Sequence, residues 1–127
     1  MKKLLPWLIA AAFLGACNSS DELPAMKQRW QDMEVHIETR PTPPRPGMAE
    51  ILAIATRTGG KPAYDLIISL RTSDTDPWVQ AIQDGHLGVY RRAAKLDVGE
   101  RATLQIKIQY GKEETVLHFP LKLDASS

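Results

Sequence analysis

Apolar and polar residues alternate with period two along most of the chain after Val35, most clearly where Leu104, Ile106, Ile108 and Tyr110 interleave with Thr103, Gln105, Lys107 and Gln109. Side chains on a strand point to opposite faces in turn, so this segment is a strand with one wet face. Gly111, Lys112 and Glu113 turn it back into Leu117, Phe119, Leu121 and Leu123, with Val116, His118 and Lys122 on the other side. These two segments make the best-defined hairpin in the sequence.

The same pattern recurs upstream. Val35 and Ile37 alternate with His36 and Glu38 to give a first strand, and residues 48–57 are apolar on both parities, as a well-buried strand is. Between them, residues 40–47 (RPTPPRPG) hold four prolines, which lack the amide a ladder needs, so this stretch is expected to connect the two sheets. Thr58 to Lys61 carries two glycines suited to a tight hairpin. Tyr64, Leu66, Ile68 and Leu70 then form the apolar face of a third strand. Residues 72–77 read as a turn, Trp78 to Gln83 as a short strand or half-turn of helix, and Asp84-Gly85 as a tight turn. Leu87 to Ala93 is a further strand in which Gly88 marks a bulge or a close approach, and residues 97–100 turn again. Ahead of all these, Met26, Trp30 and Met33 fall at spacings of four and three, which predicts one or two helical turns over residues 25–33. About seven short strands with regular turn signals predict an all-β, antiparallel immunoglobulin-like β-sandwich over residues 33–127.

The amino-terminal segment follows another rule. Lys2 and Lys3 precede about ten apolar residues, the length of an export signal and half that of a membrane span. Leu14-Gly15-Ala16-Cys17 then resembles the lipobox of bacterial lipoproteins. That resemblance implies recognition of Leu14, Gly15 and Ala16 by signal peptidase II, cleavage before Cys17, and acylation of Cys17 with palmitate-type chains. The expected organisation is a signal peptide at 1–16 and a lipidated cysteine and tether at 17–32, with the domain held in the periplasm by its lipid. Asn18, in place of the aspartate that retains such proteins at the inner membrane, implies the outer membrane. Two or three acyl chains, at about 0.8 kcal/mol per buried methylene, anchor a protein stably.

Composition changes meaning once this segment is set aside. The whole chain has 127 residues and a formal charge of +1 from 16 basic and 15 acidic residues. Without Lys2 and Lys3, 14 basic residues face the same 15 acidic ones, a charge of −1. That balance does not fit a nucleic-acid binder, and 43% hydrophobic residues exclude a disordered chain. The single cysteine is committed to the lipid, so no disulfide is expected.

Residues 43–50 (PPRPGMAE), Gly60-Lys61-Pro62-Ala63 and residues 84–91 (DGHLGVYR), each next to a strand, resemble the YtkA-like family and the FixH and CopC-type periplasmic domains. The likeness spans residues 35–123 and implies an immunoglobulin-like domain linked to copper handling or oxidase assembly. The methionine-rich runs of such domains have no counterpart between Ser69 and Asp84.

Candidate chemistry is sparse. His36 and His118 lie on the polar faces of the first and last strands; they read as two exposed histidines or, if those strands pair, as a copper site completed by Met33 or Met48. Asp74, Asp76 and Asp84 lack the spacing of a calcium loop and read as turn caps. Trp78 reads as an inward plug at the end of the sandwich or as an exposed anchor for a partner. Tyr90, Arg91, Arg92 and Lys95 form a small basic patch suited to a solvated face, anionic lipid or an acidic partner. No nucleophile elbow, zinc-protease motif or phosphate loop occurs. The sequence therefore points to a non-enzymatic lipoprotein that binds a protein partner in the envelope, with copper handling as the alternative.

Overall fold

The computed structural model describes residues 26–96 and 101–124. The lipobox and the expected turn at 97–100 lie outside the described residues. Among the described residues nine strands follow one another: β1 (Lys27–Trp30), β2 (Met33–Arg40), β3 (Gly47–Arg57), β4 (Ile67–Arg71), β5 (Val79–Gln80), β6 (Ile82–Gln83), β7 (Val89–Leu96), β8 (Arg101–Tyr110) and β9 (Glu113–Lys122). They form two antiparallel sheets, ordered β1-β2-β3-β7-β6 and β5-β4-β8-β9. With β2, β3, β7 and β6 in one sheet and β4, β8 and β9 in the other, this is the strand order of an immunoglobulin-like sandwich.

The alternation in the sequence is what fills the space between the sheets. Val35, Ile37, Ile51, Ile68, Leu104, Ile106, Ile108 and Phe119 are all buried there, each side chain contributing roughly 1.5–3 kcal/mol. The β8–β9 hairpin has the expected register, Leu104 opposite Phe119 and Gln105 opposite His118. On β3 the inward positions include Ala49, Ala53 and Ala55, and Ala53 lies opposite Tyr90 in the ladder. Small residues on this strand leave room for larger side chains facing it.

Three expectations are corrected. Residues 27–30 form a strand, because Lys27 and Arg29 are exposed while Gln28 and Trp30 are half-buried, a period of two. Gln31, at a φ of 58°, completes the two-residue turn that pairs Trp30 with Met33. The proline stretch does not cross between sheets: β2 and β3 are neighbours, with Arg40 opposite Glu50. Prolines are excluded from ladders but fit a wide loop joining adjacent strands. The third expected strand begins only at Ile67, and Tyr64 is exposed while Ala63 and Leu66 are buried.

Residues 58–66 cross between the sheets and are fixed by two local devices. The Tyr90 hydroxyl donates to the Ala63 carbonyl at 2.8 Å and accepts from the Leu66 amide at 3.3 Å. Burial, its largest influence, pushes this hydroxyl above the ordinary tyrosine value, the bond from Leu66 working the other way. Gly88 passes so close to β3 that a Cβ there would meet the Ala55 carbonyl oxygen at 2.5 Å. The close approach at Gly88 is the second of the two readings its sequence position suggests. Farther on, the chain changes sheets at Ala81, whose amide donates to the Ile68 carbonyl at 2.7 Å, between the pairing of β5 with β4 and of β6 with β7.

Candidate functional site

β1 is too short to cover β2. Its ladder ends with Lys27 opposite His36, so the outer edge of β2 from Ile37 to Arg40 has no strand beside it among the described residues. The proline loop folds towards that edge. The Thr39 hydroxyl donates to the Pro41 carbonyl at 3.0 Å, and the Thr42 hydroxyl donates to the Thr39 carbonyl. The Asp124 amide donates to the Pro44 carbonyl at 2.7 Å and ties the end of β9 to the same loop.

These pieces enclose a groove of about 670 Å³, within the ~300–1,000 Å³ usual for ligand sites. Ile37, Thr39, Pro44 and Leu123 are buried at its floor, and Met26 and Pro43 add apolar surface. Around it stand His36, Glu38, Thr42, Lys122 and Asp124. His36 Nε2 lies 3.9 Å from the Glu38 carboxylate. An apolar floor under a rim of both charges can hold an apolar guest and orient its polar ends.

The strand pairing on which a joint site of His36 and His118 depended is not formed. β2 and β9 belong to different sheets. His36 is half-buried at the rim of the groove, and His118 is exposed on β9. Met33 is fully buried in the core, and Met48 is exposed on the outer face of the first sheet. Among the described residues, no three His, Cys, Asp or Glu side chains are grouped to hold a metal ion.

Trp78 does not plug the sandwich. It is half-buried outside the core, with Arg71 Cζ 4.2 Å and Lys107 Nζ 4.7 Å from its ring centroid. Arg71 also donates from Nε to Gln105 at 2.9 Å and from Nη1 to the Asp74 carbonyl at 3.3 Å, fastening the 72–77 turn to the sheet. Asp74 accepts from Gln105 at 2.6 Å and Asp76 from Thr72 at 3.3 Å, as turn residues do. Asp84 is on the other sheet's side, bonded to Arg91 at 2.7 Å. The basic patch is smaller than its sequence: Tyr90 is in the core and Arg91 pairs with Asp84 and Glu50, which leaves Arg92 and Lys95 exposed.

The groove itself was not named by the sequence, because Met26, residues 36–44 and residues 122–124 meet only through the fold. The cluster of prolines was the one local sign of it. The class defined by fold and site is an immunoglobulin-like β-sandwich with an apolar groove beside its first long strand. No family model matches the sequence, and no curated protein matches it. A crystal structure of a DUF4426 family protein from Pseudomonas aeruginosa PAO1 is similar to this chain with a TM-score of 0.45 and 16% identity, covering 80% of this chain and 98% of that one. The likeness to YtkA-like, FixH and CopC-type domains rests on the turn and strand signals alone. No helix among the described residues is long and apolar enough to cross a membrane.

Proposed function

We propose that the protein is a periplasmic lipoprotein, anchored through Cys17, whose immunoglobulin-like domain binds an extended, apolar segment of a neighbouring envelope protein in the groove beside β2. The carrying observation is where the groove lies. Met26, on its wall, is nine positions after Cys17, and nine extended residues reach about 30 Å. A lipid at Cys17 keeps the groove within that distance of the bilayer, where the exposed segments of membrane proteins are its nearest partners. The uncovered edge of β2 favours an extended guest, since main-chain bonds to Ile37 and to the Thr39 amide can add to burial on the apolar floor.

Two measurements test this reading. Cys17→Ala is expected to yield an uncleaved precursor; a mature-sized protein that still fractionates with membranes overturns the anchor. A photo-reactive residue placed at Pro43 or Lys122 in cells is expected to give one shared adduct that is absent with the same residue at Glu114. Equal adducts from all three positions overturn the groove as the site.

A further inference from the structure

We propose that the free edge of β7 at Ala93 accepts an extended, acidic segment of another protein as an added strand of the first sheet. This site is separate from the groove and rests on different residues.

The Asp84 amide donates to the Val89 carbonyl at 2.8 Å on the β6 side, and the Gly88 carbonyl accepts from Ala55 on the β3 side at 2.8 Å. Backbone groups alternate sides along an antiparallel strand. Arg91, Ala93 and Lys95 therefore turn their amides and carbonyls away from β3. β6 pairs only with Tyr90 and Arg91, and the Lys95 carbonyl accepts from the Thr72 hydroxyl at 3.4 Å. Between those two covers, the Ala93 amide and carbonyl have no strand beside them among the described residues.

Two adjoining hollows lie along this gap and share Met48 and Ala93. One, of about 290 Å³, reaches between the sheets to Leu70 and Val79. The other, of about 470 Å³, spreads over the outer face at Ile82. An added strand sends successive side chains to opposite faces, so each hollow receives alternate residues of the guest. Cations at an edge by themselves serve to prevent pairing. Here they stand beside Met48 and Ile82, 65% and 63% exposed, an apolar surface that a merely protected edge does not offer.

Charge selects the guest. Arg91 is neutralised by Glu50 and Asp84, whereas Arg92 and Lys95 are exposed and take part in no ion pair of the described residues. They complement carboxylates on the incoming strand. A second copy of the chain is a poor occupant, because antiparallel pairing centred on Ala93 gathers the exposed Arg92 and Lys95 of both copies, and β7 itself carries no carboxylate to offset them.

The test uses the full-length lipidated protein in detergent and two labelled, blocked nonapeptides, one alternating valine with glutamate and one valine with lysine. The glutamate peptide is expected to bind at least ten-fold more tightly and to slow amide exchange in the segment containing Ala93. Ala93→Pro removes the outward amide and is expected to weaken binding ten-fold with an unchanged melting temperature. Arg92→Glu combined with Lys95→Glu leaves every described ion pair intact and is expected to invert the preference between peptides. Equal affinities, no binding at millimolar peptide, protection on β2 in place of β7, or a peptide-free dimer protected at Ala93 each overturn the proposal.

Discussion

The two ends of the sandwich are closed by different chemistry. Where β3 finishes, Arg57 bonds to Asp65 at 2.7 Å and to Asp32 at 3.2 Å and lies 4.8 Å over the Tyr110 ring. The Tyr90 hydroxyl and the close passage of Gly88 fix the crossing segment beside it. Gln31 donates to the Glu113 carboxylate across the same end. At the opposite end, prolines and threonines arch over an uncovered strand edge and leave a groove. One end spends its polar groups on one another, while the other keeps a strand edge and apolar floor available. The first end is thus closed by polar contacts, while the second keeps an apolar groove.

The largest expected effect is at the closed end. Gly88→Ala places a Cβ against a carbonyl oxygen at a φ of 78°, and a loss of more than about 2 kcal/mol is expected in denaturant titration. A near-neutral result would show that β3 and β7 separate easily, which would break the contrast. Next, Tyr90→Phe leaves the Ala63 carbonyl and Leu66 amide without their partner, a cost of about 2 kcal/mol. It also tests the raised pKa. The folded hydroxyl holds its proton while the unfolded one releases it near pH 10, so this contribution is complete below about pH 10 and falls as pH rises through the folded value. Wild type is expected to show that alkaline loss, and Tyr90→Phe to show less of it.

Smaller effects sharpen the contrast. Arg57→Met is expected to cost under about 1 kcal/mol, because its partners Asp32 and Asp65 are about half exposed and water already screens them. Raising salt from low to molar concentration should reduce that difference further. At the open end, Lys122→Ala is expected to change stability by less than about 0.5 kcal/mol, yet to alter the adduct formed from Pro43. A large stability change there would mean that the groove wall carries structure and not binding.

Legibility in the sequence divided along the same line. The β8–β9 hairpin could be read residue by residue, because strict alternation fixes both face and register. β1 is ambiguous in the sequence, since Met26, Trp30 and Met33 satisfy a helical spacing while Lys27 to Trp30 satisfy a strand's, and pairing with β2 decides between them. Alternation correctly put His36 and His118 on wet faces. A sandwich has two such faces, however, and only the sheet order tells which residue lies on which. The groove drew on three distant segments, so no local pattern could announce it. Tyr90 shows the same limit: beside Arg91 and Arg92 it reads as surface, but its parity on β7 turns it inward.

Gln28 gives the molecule a shape that the two sheets alone do not. Its side-chain amide donates to the His118 carbonyl at 2.6 Å, joining the first strand to the last. On the far side, Ala81 carries the chain from one sheet to the other. The two sheets are therefore tied at both seams, one by a side chain and the other by a segment that changes sheets. Such ties shorten the open edges through which β-proteins aggregate. The seams are incomplete where β1 and β6 run short, and those two gaps are the groove beside β2 and the edge at Ala93.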